Sequence, residues 1–380
     1  LRLLSALLLS PILWAQSLPF PGPGNFNGSH NGFQHFRQIT IDHTLVPNTD
    51  QTNFPVLVSG TISATVANGG SIQHTVTQSG GYGLTIPADA VITSDSSCTT
   101  PVAGWEFEAY SATTGVALFW FNAGTVSHTA DSLYYVCYGE PSLSTQQMTV
   151  SATYDANAGG VWHWPNGSAI QNADSTANGN TTLAATAITG EIDGGASATG
   201  GFVLASCCMG TNLSPGSAVT YEGWVNFTNL LGTPNTMGAY DNNRVIGTGG
   251  GYTLSVTVLG HVTAGIVIVP SMQLTTVGTQ TLTSGTWYHL ALTYSNATGL
   301  ISYVNGVQDG MVAGAGATID YTGNASLPGM RFGTSLTSGS MTGNIDEHRV
   351  STSVRSADWL RTEYNNQSNP TAFAALGAEN

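Results

Sequence analysis

The sequence predicts an all-β protein made of two β-sandwich domains, and three observations carry that expectation. Short apolar runs alternate with polar residues, as in Phe36–Asp42 and Tyr221–Phe227, which is the period of a strand with one buried face. Thr, Ser and Asn are plentiful beside 47 glycines; Thr suits the pleat, while Gly and Asn supply the positive φ of tight turns. A chain of 380 residues is long for one sandwich and suits two domains of roughly 100–200 residues.

Only 7% of residues are charged and none is lysine, yet 41% are hydrophobic, enough to fill sandwich cores, so a disordered chain is excluded. The formal charge of -14 repels phosphate backbones and anionic headgroups, which excludes nucleic acid and membrane surfaces as partners. Residues 1–15 combine Arg2, an apolar stretch from Leu3 to Trp14 and Ala15, the pattern of a signal peptide. A secreted, extracellular or cell-envelope address is expected from it. No second apolar run approaches the ~18 residues that span a bilayer, so no membrane insertion is expected.

Residues 16–32 are rich in Pro, Gly and Asn and read as a flexible linker. The first domain, 33–150, opens with Phe36–Asp42 and continues through Phe54–Val58, Trp105–Tyr110, Gly115–Phe121 and Leu133–Tyr138, with a turn at Thr113-Thr114-Gly115. Residues 151–160, with Ala, Asn and two glycines, are expected to be a second linker. The domain at 161–380 begins with Val161–Trp164 and carries Tyr221–Phe227, Gly285–Tyr294, Leu300–Gly306 and Gly343–Val350. Asn305-Gly306 marks a tight turn. Ser356 before Asp358 and Trp359 reads as the N-cap of a short helix, and Phe373–Leu376 as a last strand.

The segments FRQITIDHT, NFPVLV, EFEAYSATTGVALFWF and LYYVCYGEP resemble a bacterial secreted domain of unknown function that commonly stands before laminin G-like domains. That resemblance implies a β-rich accessory module and brings no catalytic residue. GTWYHLALTY, LISYVNG and GNIDEHRV resemble the closing strands of laminin G-like (LamG), concanavalin A-like jelly rolls, which implies that the C-terminal domain is such a jelly roll, of a binding type.

Export permits disulfides, and Cys98, Cys137, Cys207 and Cys208 allow three connectivities. A Cys98–Cys137 disulfide is expected because both residues fall in the N-terminal half. The neighbours Cys207 and Cys208 stay open between two thiols and a strained vicinal bond.

Asp174, Asn178 and Asn180 cluster around Gly179 and offer several oxygens to a hard cation, calcium being the natural choice. In the jelly rolls that this domain resembles, such a loop and the acid of the IDE strand, here Asp346, lie together at a calcium site. The competing reading is an Asx turn that satisfies its own backbone.

Glu191-Ile192-Asp193 begins like the paired-acid strand of laminarinase-like glucanases, but Gly195 and Ala196 stand where a third acid belongs. Glu106 and Glu108 share a strand face, expected to be solvated. His163 and His289, inside apolar strands, read as core or interface histidines. Trp162, Trp164, Tyr240, Tyr252 and Trp359 are candidates for a sugar-stacking surface, with Trp164, Tyr240 and Tyr252 taken as ligand-binding, while Trp224 and Trp287 are expected in the core.

These readings converge on an exported, non-catalytic binding protein that recognises carbohydrate or an extracellular or envelope protein through a calcium-ordered jelly roll. A glycoside hydrolase or polysaccharide lyase is the alternative, and a cell-surface scaffold a third.

Overall fold

The structure is a computed structural model that describes residues 30–165, 171–183, 185–203, 212–230, 235–241, 250–314, 316–322, 329–335 and 340–380. The expected signal peptide, most of the 16–32 linker, and Cys207 and Cys208 lie outside the described residues.

Two β-sandwiches account for nearly all of the described chain. In the first, a four-stranded sheet ordered Ala374–Glu379, His35–Ile41, Ser132–Tyr138, Ala90–Thr93 accompanies a three-stranded sheet ordered Gln51–Thr61, Val116–Val126, Trp105–Tyr110. The alternation read from the sequence decides which residues fill the space between them: Ile39 and Ile41, Val56 and Val58, Phe119 and Phe121 share one core with Phe107 and Val136. Cys98 and Cys137 are disulfide-bonded beside buried Phe33, Val91 and Leu143, as the sequence led us to expect.

The second sandwich pairs a large sheet with a six-stranded one. The large sheet runs in the order Thr186–Thr189, Gly194–Ser197, Gly343–Ser351, Ala218–Phe227, Trp287–Ser295, Gly299–Val304, Val307–Val312, with Ala158–Trp162 also paired to Gly343–Ser351. In the smaller sheet, His261–Ile268 buries alternate residues Val262, Ala264, Ile266 and Ile268, against Tyr221, Val225, Leu290 and Ile345 of the larger. Asn305 and Gly306 have φ of 51° and 72° and join two strands of the large sheet. Both turn positions need positive φ, which explains an Asn-Gly pair.

The chain does not divide where its composition changes. Ala374–Glu379 pairs with His35–Ile41, so that Ile41 faces Ala374 and Arg37 faces Glu379; the last strand completes the first sandwich. The helix Ala357–Ser368, capped by the Ser356 hydroxyl accepting from the Trp359 amide at 3.0 Å, carries Trp359 and Leu360 into that same core with Phe373. The Trp359 ring stands edge-on to Phe54 with centroids 4.9 Å apart. The expected 161–380 domain is therefore corrected: its end belongs to the first sandwich, because an alternating run identifies a strand but not the sheet that will accept it.

Residues 151–160 are likewise not a free linker. Thr153 and Tyr154 are buried, Arg355 holds Asp155 with two hydrogen bonds of 2.7 Å, and Ala158 already pairs with Ser351.

One irregularity shapes the junction. Between the pairs Glu222↔Arg349 and Trp224↔Asp346 the register slips, so Glu347 and His348 together oppose Gly223, and Glu347 takes φ 52°. This is a β-bulge, which re-aims side chains on the bulged strand. The His348 ring turns into the jelly-roll core against Trp164, Tyr221 and Phe332, and a Cβ on Gly223 would come within 2.1 Å of it. Glu347 and Arg349 reach the other way, toward the first sandwich. No helix among the described residues is long and apolar enough to cross a membrane.

A chain truncated after Asn369 loses Phe373 and the closing strand. Burial of a phenylalanine is worth about 3–5 kcal/mol and each kcal/mol moves a melt by roughly 2–4 °C, so thermal unfolding followed by circular dichroism should show a midpoint lowered by about 6–20 °C. An unchanged midpoint would mean that the first sandwich closes without the C-terminal strand.

Candidate functional site

Where the two sandwiches meet, the surface opens into a cleft of about 320 Å³. One wall is the turn Ser79-Gly80-Gly81 of the hairpin formed by Thr75–Thr77 and Thr85–Pro87. Gln146 and Met148 to Ser151, where the chain passes between sandwiches, form a second, and Asp174 to Thr176 a third. Gln146 fixes the first wall to the second by accepting from the Ser79 amide at 2.7 Å and donating to the Ser79 carbonyl at 3.1 Å. The Ser175 hydroxyl donates to Glu106 Oε2 at 2.8 Å and shares a 3.0 Å bond with the Tyr82 hydroxyl. Gly81 sits at φ 65°, which favours glycine, and a Cβ there would have to displace the Gln78 amide nitrogen, 2.6 Å from its position.

The Asp174 loop is tied down by its own backbone. Asp174 Oδ1 accepts from the Val161 and Thr176 amides, and Oδ2 from the Thr176 hydroxyl and the Asn180 amide, at 2.8–3.0 Å. Asn178 donates to the Ala158 and Gly159 carbonyls and Asn180 to Gly159. Burial pushes the Asp174 carboxyl up, and the amides that it accepts from hold it back.

Asp346 is engaged elsewhere: its Oδ2 accepts from the Glu191 and Ile192 amides at 2.9 and 3.0 Å. This set does not fit the expected calcium site, because the two oxygens of Asp174 already take four protein donors, as many as a carboxylate accommodates. Asp174, Asn178 and Asn180 share one loop, and Asp346 caps another.

Beneath the cleft lies a buried cluster of ionisable groups to which both sandwiches contribute. Glu106 and Glu108, expected on a solvated face, are 0% and 1% exposed, because the second sandwich covers their side of the sheet. His163 Nδ1 donates to Glu347 Oε1 at 2.6 Å, and its Nε2 lies 2.8 Å from the Tyr154 hydroxyl and 3.4 Å from Glu106 Oε1. Burial alone would lower the His163 pKa, but the surrounding carboxylates, Glu347 foremost, raise it well above the usual imidazole range. Arg349 donates to Glu347 at 3.0 Å and to Glu363, and its guanidinium stacks 4.4 Å over Trp120. Burial, reinforced by Glu347, drives the Glu108 and Asp346 carboxyls well above the ordinary range.

The aromatic candidates go to the interior. Trp162, Trp164 and Tyr252 are fully buried, Tyr240 is 3% exposed, and Trp359 is 8% exposed; none presents a face to a sugar. Trp164, Tyr240 and Tyr252 instead pack in the jelly-roll core, where the expectation placed Trp224 and Trp287; Trp224 is buried but Trp287 is only half-buried. Glu191 and Asp193 sit in a bend before Gly194–Ser197 rather than on a strand, so no paired-acid face forms there. His163 and His289 are buried, as expected. The cleft was missed from the sequence because its walls come from segments near residues 80, 150 and 175; the first two carry no spacing motif, and the third reads as a cation loop rather than as a wall.

Residues 197–361 match a laminin G-type family model described as the concanavalin A-like lectin/glucanases superfamily, and the C-terminal sandwich is a domain of that class. No curated protein sequence matches the chain. Among solved structures, the binding domain of botulinum neurotoxin serotype G is similar at 13% identity and a TM-score of 0.44, over 55% of this chain and 50% of that one. Domain 4 of AbnA, a GH43 extracellular arabinanase from Geobacillus stearothermophilus, in complex with arabinotriose, aligns at 17% identity and TM-score 0.38, over 55% of this chain and 98% of its own. The ligand-binding domain of botulinum neurotoxin serotype D, in complex with N-acetylneuraminic acid, aligns at 12% identity and TM-score 0.42, over 58% and 53%. The chain thus spans about half the length of the neurotoxin domains it matches.

His289 offers a test of the burial at this junction. Neither ring nitrogen has a hydrogen-bond partner, Nε2 is 3.7 Å from Glu222 Oε2, and burial lowers its pKa from 6.5 to about 4. The unfolded chain binds a proton there below pH 6.5 while the folded chain does not, so this contribution is complete above 6.5 and is lost as pH falls toward 4. Its slope is at most about 1.4 kcal/mol per pH unit. His289→Leu should therefore flatten the acid limb of a stability-against-pH curve measured by urea unfolding; parallel wild-type and variant curves would show that His289 is not held neutral.

Proposed function

We propose that the protein is an exported carbohydrate-binding protein whose ligand site is the junction cleft. The observation that carries this reading is the cleft itself: its volume falls at the lower end of small-molecule sites, roughly 300–1,000 Å³. Its walls offer the hydroxyls of Ser79, Thr149 and Ser151 beside the apolar Met148 and Val150, while the Gln146 amide and the Ser175 and Thr176 hydroxyls are engaged with protein partners that shape the walls. A sugar presents hydroxyls at its rim and C–H groups on its faces, and this mixture suits it. The anchoring of Ser175 to Glu106 and of Asp174 to its loop holds that wall in place before a ligand arrives, which reduces the ordering cost of binding.

A concanavalin A-like domain hosts both lectins and glucanases, so fold alone does not choose between them. The chemistry favours binding. The acids that a hydrolytic mechanism would enlist, Glu106 and Glu108, are buried, and each accepts a hydrogen bond, from Ser175 and from Trp120. The Cys98–Cys137 disulfide supports an oxidising, extracellular address. Calcium has no part in the proposal, since both oxygens of Asp174 are taken by protein donors.

Thr149 and Ser151 are exposed at the cleft, so Thr149→Arg and Ser151→Trp obstruct it with little effect on stability. A glycan array should show discrete hits for the wild type that weaken at least about tenfold, or roughly 1.4 kcal/mol, in both variants at unchanged melting temperature. Hits that survive both variants would place the sugar elsewhere on the protein, and an array without hits would favour a protein partner.

A further inference from the structure

We propose that Glu108, His163 and Glu347 form a structural site for a divalent transition-metal ion of the zinc type, buried between the two sandwiches. One oxygen from each carboxylate and one nitrogen of His163 all lie within 4.8 Å of one another, and all three residues are buried. They come from three separate elements: the Trp105–Tyr110 strand of the first sandwich, the residue after Ala158–Trp162, and the bulge in Gly343–Ser351. Ligands about 2.0–2.2 Å from a tetrahedral zinc stand about 3.4 Å apart. The separations from His163 Nδ1, 2.6 Å to Glu347 Oε1 and 3.7 Å to Glu108 Oε2, bracket that value.

Independent of this geometry, the cluster contains oxygens that find no hydrogen-bond donor among the described residues. Glu106 Oε1 has no hydrogen-bond donor although Glu106 is fully buried, and it points at His163 Nε2 from 3.4 Å. Glu108 Oε1 and Asp346 Oδ1 are likewise buried without donors. Three carboxylates, Glu106, Glu108 and Glu347, thus converge around one imidazole, while Arg349 is shared between Glu347 and Glu363. A carboxylate left ionised in such a site without a partner is strongly disfavoured, and a divalent cation is the partner that would hold these acids in their ionised form.

Outer contacts are of the kind that orient metal ligands. Trp120 Nε1 donates to Glu108 Oε2 at 2.7 Å, and Arg349 donates to Glu347 Oε2, which leaves Oε1 directed at His163. The ion would replace the proton on His163 Nδ1 and release it to solvent, with Nε2 remaining bonded to Tyr154. With the site closed on all sides, the metal would be acquired during folding and would join the sandwiches. None of this depends on the sugar reading of the cleft.

The full chain, natively purified, should carry about one equivalent of zinc or a similar metal by elemental analysis. Unfolded with chelator at an intact disulfide and refolded with Zn²⁺, it should retain the ion through desalting and melt higher than chain refolded in chelator. Refolding with Co²⁺ should give visible absorption bands and nitrogen coordination by X-ray absorption, which tests the wild type even if a variant fails to fold. The exposed group Asp42, His43 and Asp131 is the competing site: His163→Gln should abolish retention and Asp131→Asn should leave it unchanged. Retention below roughly a tenth of an equivalent with identical melts, or metal lost through Asp131→Asn, would overturn the proposal.

Discussion

The pairing of Arg349 with Glu347 and Glu363, under the Trp120 ring, is the interaction on which the architecture turns. A guanidinium removed from water must find carboxylates with good geometry or the structure cannot hold it. Here the carboxylates come from the bulged strand and from the helix Ala357–Ser368, while the ring comes from the first sandwich. Leaving Arg349 with one partner exposes a buried charge, so neither the helix nor the first sandwich can shift independently of the jelly roll. The bulge at Glu347 and the absence of a Cβ at Gly223 make this possible, since together they direct His348 inward and leave Glu347 and Arg349 for the junction.

The same junction gives the cleft its rigidity. Ser175 is bonded to Glu106, which belongs to the first sandwich, while Asp174 is bonded to the Val161 amide of the second. A wall of the proposed ligand site is thereby referenced to both bodies. The laminin G-type domain supplies a scaffold, but an opening with the dimensions of a site lies at its border with the first sandwich, and neither body would form it alone.

Much of the fold was legible because local rules decide it. The alternation of FRQITI sends Ile39 and Ile41 inward, Asn305-Gly306 makes the turn that only positive φ allows, and Ser356 caps its helix. Cys98 and Cys137 pair as their placement in one half suggested. What the sequence concealed is long-range. A period of two separates the faces of Trp105–Tyr110 but does not say that the face with Glu106 and Glu108 will be covered by another sandwich. Nor does FAAL at residues 373–376 say that its partner lies some 330 residues earlier. The aromatic candidates failed for a related reason: Trp164, Tyr240 and Tyr252 fill the space between large sheets, a demand for volume that composition does not distinguish from a demand for ligand contact.

If the buried junction makes one cooperative unit of both sandwiches, native-state hydrogen exchange is the most direct measurement of it. Slow amides in Trp105–Tyr110 of the first sandwich and in Ala218–Phe227 of the jelly roll should open with the same free energy and the same denaturant dependence, since each can be exposed only by unfolding the whole. Two distinct opening energies, with one sandwich exchanging globally while the other stays protected, would contradict the account.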